Sequence, residues 1–132
     1  MTFVDSSVLI DVIEAKPDWK HWSAQQLTQQ RTRGALCINA MVYAEISRSF
    51  ATSDVQDQFL KEAGIRVLPI PNPASFLAAQ AHRSYRSAGG ARSATLPDFF
   101  IGAHASVAQL PLLTRDPVRV RTYFPQLQVI AP

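Results

Sequence analysis

The chain contains little cysteine, little glycine and no long apolar run. Its 132 residues include one cysteine and five glycines, and no stretch approaches the roughly 20 apolar residues of a membrane-spanning helix. Neither a membrane span nor a secretory leader is therefore expected. Cys37 has no partner for an intrachain disulfide, which favours a reducing, cytoplasmic environment. With 47% hydrophobic residues, the chain is expected to bury a core as a single domain over residues 1–132.

Several catalytic motifs are also missing. The sequence has no G-x-S-x-G elbow of a serine hydrolase and no G-x-x-x-x-G-K phosphate loop. His21, His82 and His104 are scattered without the spacing of metal ligands, so we expect packing or surface histidines. These absences argue against serine hydrolase, P-loop and histidine-based metal chemistry.

Acidic residues are scarce in the second part of the chain. Residues 83–132 carry six arginines against only Asp98 and Asp116, whereas residues 1–82 carry seven Lys/Arg and eight Asp/Glu. A basic region of this kind suits a polyanion such as nucleic acid, although arginine on a solvated surface is a common cause of the same pattern. Charge alone leaves both interpretations open.

Short apolar runs separated by amphipathic segments predict an α/β fold. Strands are expected at 2–5, 35–39, 65–70, 110–114 and 127–130. Helices are expected at 6–15, 18–30, 40–50, 54–64, 74–88 and 96–109, with Asn39 capping the third and Gly64 ending the fourth. Strands joined through helices indicate a mainly parallel central sheet of about four to five strands, flanked by helices on both faces.

Four acidic residues lie at unusual positions: Asp5, Glu45, Asp98 and Asp116. Each has an ordinary local explanation. Asp5 and Asp116 could cap the helix or turn that follows, and Thr95 precedes Asp98 with the spacing of a capping box. Glu45 lies within a helix and could form a surface ion pair with Arg48. Capping and surface pairing would therefore account for them one at a time.

Their positions in a parallel sheet suggest a shared role. Asp5 and Asp116 follow strands, and Glu45 and Asp98 lie on helices that begin at the same edge, where ligands bind in open α/β sheets. Four carboxylates at one edge would repel each other unless a cation compensated them. Oxygen ligands without a cysteine or histidine cluster favour Mg²⁺ or Mn²⁺.

An acidic metal site beside an arginine-rich segment suits phosphodiester hydrolysis. Arg86, Arg92 and Arg115 flank the acidic segments and are candidate phosphate contacts. A rival is a phosphatase of the haloacid-dehalogenase type with Asp5 as nucleophile, but such enzymes need a second aspartate where Ser7 stands. A second rival is a catalytically inactive module that binds RNA or protein. Metal-stimulated RNA cleavage would separate the three.

The segments "FVDSSVLID", "NAMVYAEI", "LPDFFIGAHA" and "PLLTRDP" together resemble the PIN-domain ribonucleases, and most of all the VapC-type toxins of toxin–antitoxin pairs. The resemblance covers essentially the whole chain. It implies that Asp5, Glu45, Asp98 and Asp116 form the catalytic and metal-binding quartet, with Ser6 and Thr114 as supporting hydroxyls. It also implies a Mg²⁺- or Mn²⁺-dependent endoribonuclease, a homodimer and a small cognate antitoxin.

The helices carry more apolar residues than one sheet face needs. Part of the surface formed by Trp19, Trp22, Phe59 and Leu60 is therefore expected to form a homodimer or to bind an antitoxin helix in a groove.

Overall fold

A computed structural model describes residues 1–90 and 96–132, which form a five-stranded sheet and seven α-helices. The strands are Thr2–Val4 (β1), Leu36–Ile38 (β2), Ile65–Val67 (β3), Leu112–Leu113 (β4) and Val129–Ile130 (β5). The helices are Ser6–Ile13 (α1), Lys20–Arg33 (α2), Ala40–Ile46 (α3), Ser53–Ala63 (α4), Asn72–Ser87 (α5), Leu96–Val107 (α6) and Pro117–Tyr123 (α7), with a 3₁₀ turn at Ser47–Ser49. The predicted α/β fold class is confirmed.

All neighbouring strands are parallel, in the order β3-β2-β1-β4-β5. Phe3 in the central strand pairs with Cys37 of β2 on one side and with Leu112 of β4 on the other. The chain builds outward from β1 through β2 and β3, then returns to the opposite side of β1 as β4. Strand order thus reverses between β1 and β4, and ligands of open α/β sheets bind at such a reversal.

Two hydrophobic clusters hold the elements together. The larger surrounds the sheet and includes Phe3, Val4 and Leu113, all fully buried. The smaller joins α5 to α6 around Phe99, which is 1% exposed and contacts the buried ring of Phe124. Burial of these side chains removes apolar surface from water and fixes α6 against the sheet.

The structure corrects several boundaries. The predicted strand at 65–70 ends at Val67, because Pro69 and Pro71 lack the N–H that a strand ladder requires. Helix α7 was not predicted, and β4 and β5 are shorter than expected. Two local predictions are confirmed: the Asn39 side chain accepts hydrogen bonds from the first turn of α3, and Gly64 ends α4 with a left-handed φ of 71°.

The predicted partner surface needs one correction. Trp19, Trp22 and Phe59 are partly exposed, but Leu60 is only 3% exposed and belongs to the sheet core. Leu60 faces inward because it lies on the apolar stripe of α4, so it cannot contact a partner.

Within the residues that the structure describes, no helix has the length and apolar character needed to cross a bilayer.

Candidate active site

A cavity of about 1060 Å³ opens where β1 and β4 end. Three of the four predicted acidic residues line it, namely Asp5, Asp98 and Asp116. Four cations also line it: Lys16, Arg48, Arg115 and Arg119. The cavity therefore combines carboxylates from different elements with a surrounding set of positive side chains.

Asp5 directly follows β1 and is held by hydroxyl groups. Its Oδ2 accepts hydrogen bonds from Thr114 Oγ1 at 2.7 Å and Ser7 Oγ at 2.9 Å. Asp5 occupies the cap position of α1, but its side chain makes no capping hydrogen bond. Asp5 therefore ends the strand at the cap position of α1, as expected, but its carboxylate is engaged by side chains from α1 and the end of β4 and does not cap the helix.

Glu45 on α3 reaches the same group through Ser6. The Ser6 hydroxyl donates to Glu45 Oε1 at 3.0 Å and lies 3.4 Å from Asp5 Oδ1. Arg48 does not pair with Glu45; its guanidinium bonds to Glu14 at 2.9 Å. A surface ion pair with Arg48 therefore does not explain the position of Glu45. Glu45 itself is not among the cavity-lining residues, and Ser6 connects it to the cavity.

Asp98 lies in the first turn of α6 and pairs with Arg119 of α7. The Asp98 Oδ2 to Arg119 Nη1 distance is 2.6 Å. The same guanidinium lies 5.1 Å from the ring centroid of Tyr85, an arrangement that favours a cation–π interaction. The capping box predicted from Thr95 falls on a residue outside the described part of the chain.

Asp116 is the most exposed of the four acidic residues. Its backbone N–H donates to Thr114 Oγ1 at 3.1 Å, while its side chain makes no capping bond to α7. Thr114 therefore links two acids, because its hydroxyl donates to Asp5 and accepts from the backbone of Asp116. Capping does not explain Asp116 either.

The carboxylates interact electrostatically across the site. Desolvation raises the pKa of Asp5, and repulsion from Asp116 adds to that increase. Desolvation likewise raises the pKa values of Glu45 and Asp98, with further increases from Asp5 and from other members of the quartet. These like charges make a cation favourable at this position.

The donor set fits a hard divalent cation in its chemistry. All four side chains offer carboxylate oxygens, as Mg²⁺ and Mn²⁺ prefer. In the described ranges, no three aspartate, glutamate, histidine or cysteine side chains approach closely enough to hold an ion. Asp98 instead pairs with Arg119. To bind a cation, the Asp98 carboxylate would therefore have to rotate away from the Arg119 guanidinium, or contact the cation and the guanidinium at the same time.

The raised pKa values predict a pH dependence of stability. Because the folded protein retains protons that the unfolded chain releases, metal-free wild type should lose stability as pH rises from the ordinary carboxyl values through the raised ones. Lowering the pH from about 7 to about 5 should therefore stabilise wild type relative to Asp5→Asn. Burial lowers the pKa of His104, which acts in the opposite direction, but this effect is common to both proteins.

Thermal melting of the metal-free proteins across this pH range provides the measurement. Asp18→Asn, which removes an exposed carboxylate outside the cavity, should follow the wild-type profile. Parallel profiles for wild type and Asp5→Asn would contradict the predicted contribution of Asp5.

A buried polar pair connects the two acidic helices. Asn39 Oδ1 caps α3, and Asn39 Nδ2 lies 3.2 Å from His104 Nδ1 on α6. His104 is 2% exposed and packs edge-on against Phe3. The prediction of a packing role for His104 is confirmed. The pair fixes the helix of Glu45 relative to the helix of Asp98.

The predicted phosphate-binding arginines occupy different surroundings. Arg86 is exposed on α5 and does not line the cavity, whereas Arg115 does. Arg92 lies outside the residues that the structure describes. Arg119 was not predicted as a site residue, because its proximity to the site depends on α7, a helix that was not predicted either.

Two further cations were missed as well. Lys16 and Arg48 line the cavity and both pair with Glu14, and their hydrogen bonds to this exposed carboxylate lower its pKa to about 2. The only local signal was their basic character. Their position at the site follows from the packing of α1 against α3.

A comparison with known protein families identifies the family of this chain. The PIN domain family matches residues 2–124, and the chain therefore belongs to this family. No curated protein sequence matches the chain. The family assignment agrees with the resemblance found in the sequence and with the five-stranded parallel sheet.

Solved structures share this fold at low sequence identity. VapBC2 from Rickettsia felis, bound to a DNA fragment from its promoter, has a TM-score of 0.73 and 17% identity, covering 99% of this chain and 98% of the other. DNA-bound VapBC from Salmonella typhimurium has a TM-score of 0.70 and 20% identity, with coverage of 99% and 98%. VapBC-5 from Mycobacterium tuberculosis, a toxin–antitoxin family member, has a TM-score of 0.56 and 20% identity, with coverage of 98% and 95%.

Proposed function

We propose that this protein is a metal-dependent endoribonuclease that hydrolyses RNA phosphodiester bonds as the toxin of a toxin–antitoxin pair. The observation that carries the proposal is the meeting of Asp5, Asp98 and Asp116 in one cavity at the strand-order reversal, with Glu45 joined through Ser6. Membership of the PIN domain family and the similar VapBC folds support it. The free, buried Cys37 fits a reducing cytoplasm.

Asp5 and Asp98 would hold Mg²⁺ or Mn²⁺ directly. Glu45, which Ser6 connects to the cavity, and Asp116 would hold it directly or through water. When bound, such an ion lowers the pKa of a water nucleophile and neutralises negative charge that develops on the phosphate. Ser7 and Thr114 fix the Asp5 carboxylate, since both hydroxyls donate to its Oδ2. This prior orientation reduces the reorganisation needed at the site during reaction.

Other side chains can serve the substrate. Lys16, Arg48 and Arg119 line the cavity and give its acidic interior a cationic border suited to a phosphate backbone. Arg86 and Arg92 remain proposed RNA contacts on their position in the sequence. Arg115 also lines the cavity, where Asp11 and Trp19 engage its guanidinium.

The two rival functions predict different chemistry. In the phosphatase alternative, a second aspartate would act where Ser7 stands, but the Ser7 hydroxyl donates to Asp5 and accepts from the backbone of Arg115. An inactive binding module would derive no benefit from several carboxylates that raise one another's pKa. Both observations favour the nuclease.

Purified protein should cleave RNA when Mg²⁺ or Mn²⁺ is present and stop when EDTA is added, because the carboxylates need a cation to act on phosphate. Gel analysis of a mixed RNA substrate gives the activity, and sequencing of the product ends identifies the bond cut. RNA binding without cleavage would support the inactive module, and release of phosphate from monoesters would support the phosphatase. Cleavage undiminished by EDTA would contradict the metal mechanism.

We also propose a homodimer and a small antitoxin protein as partners. Partly exposed Trp19, Trp22 and Phe59 provide apolar surface for contacts. The VapBC structures with similar folds support the antitoxin. A monomer by light scattering, with no small protein co-purifying from the native operon, would contradict both partners.

A further inference from the structure

Asp11 and Arg115 form a buried ion pair beside the candidate active site. The Asp11 side chain is fully buried on α1, and its Oδ2 lies 3.1 Å from Arg115 Nε. Ser23 on α2 donates to the same oxygen at 2.8 Å. The Arg115 guanidinium lies 5.5 Å from the ring centroid of Trp19, immediately before α2. The side chain of Arg115, the residue before Asp116, therefore contacts α1 through Asp11 and the start of α2 through Trp19.

The bonding of this pair is incomplete. Within the described parts of the chain, Asp11 Oδ1 and Arg115 Nε are buried without a hydrogen-bond partner, since the contact at 3.1 Å lacks hydrogen-bond geometry. Burial of charged groups costs free energy, and an imperfect pair recovers only part of that cost. The Asp11–Arg115 pair therefore contributes little to stability. Its position beside the candidate active site suggests a functional role.

The backbone at Arg115 is attached to the acidic site from the other side. Its N–H donates to Ser7 Oγ at 3.3 Å, and Ser7 donates to Asp5 Oδ2. Thr114 also donates to Asp5 Oδ2 and accepts from the N–H of Asp116. Residues 114–116 are consequently held between Asp5 on one side and Asp11 on the other.

We propose that Asp11, acting through Arg115, is a positioning residue that sets Asp116 against Asp5. The inference rests on the proposed ribonuclease function. Asp11 does not line the cavity, so it acts only by holding the Arg115 side chain. Arg115 is engaged by Asp11 and Trp19 and serves as a structural link between α1, α2 and the segment that follows β4.

The test compares Asp11→Asn, Arg115→Met and the double variant. Asparagine can still accept from Ser23, and methionine keeps an apolar stem beside Trp19. Each single change should lower kcat about 10- to 100-fold with little change in KM for RNA, as for groups that orient a metal ligand. The double variant should be no slower than the slower single variant, because both changes remove the same ion pair. Asp54→Asn, at an exposed aspartate in the first turn of α4 outside the cavity, is the control and should retain wild-type kcat.

Amide hydrogen exchange in the metal-free protein provides a readout independent of activity. In both single variants, the amides of Arg115 and Asp116 should exchange faster, while that of Thr114, bonded to the carbonyl of Ile130, should not change. If Asp11→Asn does not fold, Arg115→Met carries the same comparison.

Several results would overturn the proposal. Multiplicative losses in the double variant would mean that the two residues act separately. A raised KM with unchanged kcat in Arg115→Met would make Arg115 a phosphate contact. A wild type without nuclease activity would refute the proposed function alone, whereas unchanged exchange at Asp116 would refute the positioning role whatever the activity.

Discussion

Asp5→Asn is expected to abolish RNA cleavage and leave the fold intact. Asparagine has nearly the same shape, and its Oδ1 can accept the hydrogen bonds that Ser7 and Thr114 now donate to Asp5. The substitution removes the negative charge at the end of β1, where a cation would bind. Since even outer-shell partners of metal ligands are worth about 10- to 100-fold, loss of a direct ligand should reduce cleavage by at least about 100-fold.

Melting curves with and without Mg²⁺ give a second readout. Because burial raises the pKa of Asp5, the uncharged variant should be at least as stable as wild type near neutral pH without metal. Mg²⁺ binds the folded site preferentially and should raise the wild-type melting temperature, with a much smaller increase in Asp5→Asn. Asp18→Asn should retain both cleavage and the Mg²⁺ effect. Equal Mg²⁺ effects in Asp5→Asn and wild type would exclude Asp5 from the metal site.

Phe99→Ala should produce the largest loss of stability among these variants. Phe99 is 1% exposed and its ring contacts the rings of Tyr85, Tyr123 and Phe124, with centroids 5.4, 5.4 and 6.3 Å away. Truncation would leave a cavity between α5, α6 and α7 at a cost of about 3–5 kcal/mol in the free energy of unfolding. Domains of this kind are stable by roughly 5–15 kcal/mol in total, so the loss is a large fraction.

Phe76→Ala is the matched control, because it makes the same chemical change on α5 at a side chain that is 65% exposed. Its effect should stay within about 0.5 kcal/mol. Urea denaturation of both variants measures the difference. Since Phe99 follows Asp98 and anchors the start of α6, the variant should also weaken the Mg²⁺ effect on melting. Comparable losses in the two variants would mean that the cluster around Phe99 contributes little.

Much of the fold could be predicted from local sequence patterns. Apolar runs predicted all five strands, although the predicted ends extend beyond the observed ones. Amphipathic periodicity predicted six of the seven described helices. Asn39 and Gly64 marked helix ends correctly, because capping and a left-handed φ depend on the residue itself and its near neighbours. Helix α7 was not predicted, because the Asp116–Pro117 sequence is also typical of a simple turn and the helix is only 7 residues long.

The sequence by itself determined which acids follow strands and which lie on helices, and this was enough to select the candidate quartet. Tertiary structure alone decided their neighbours. Arg48 pairs with Glu14, Arg115 with Asp11 and Arg119 with Asp98, over separations of 34, 104 and 21 residues. Local periodicity records only which face of an element is apolar, whereas ion-pair partners depend on strand order and helix packing. The candidate carboxylates could therefore be proposed from the sequence, whereas identifying the cations that surround them required the fold.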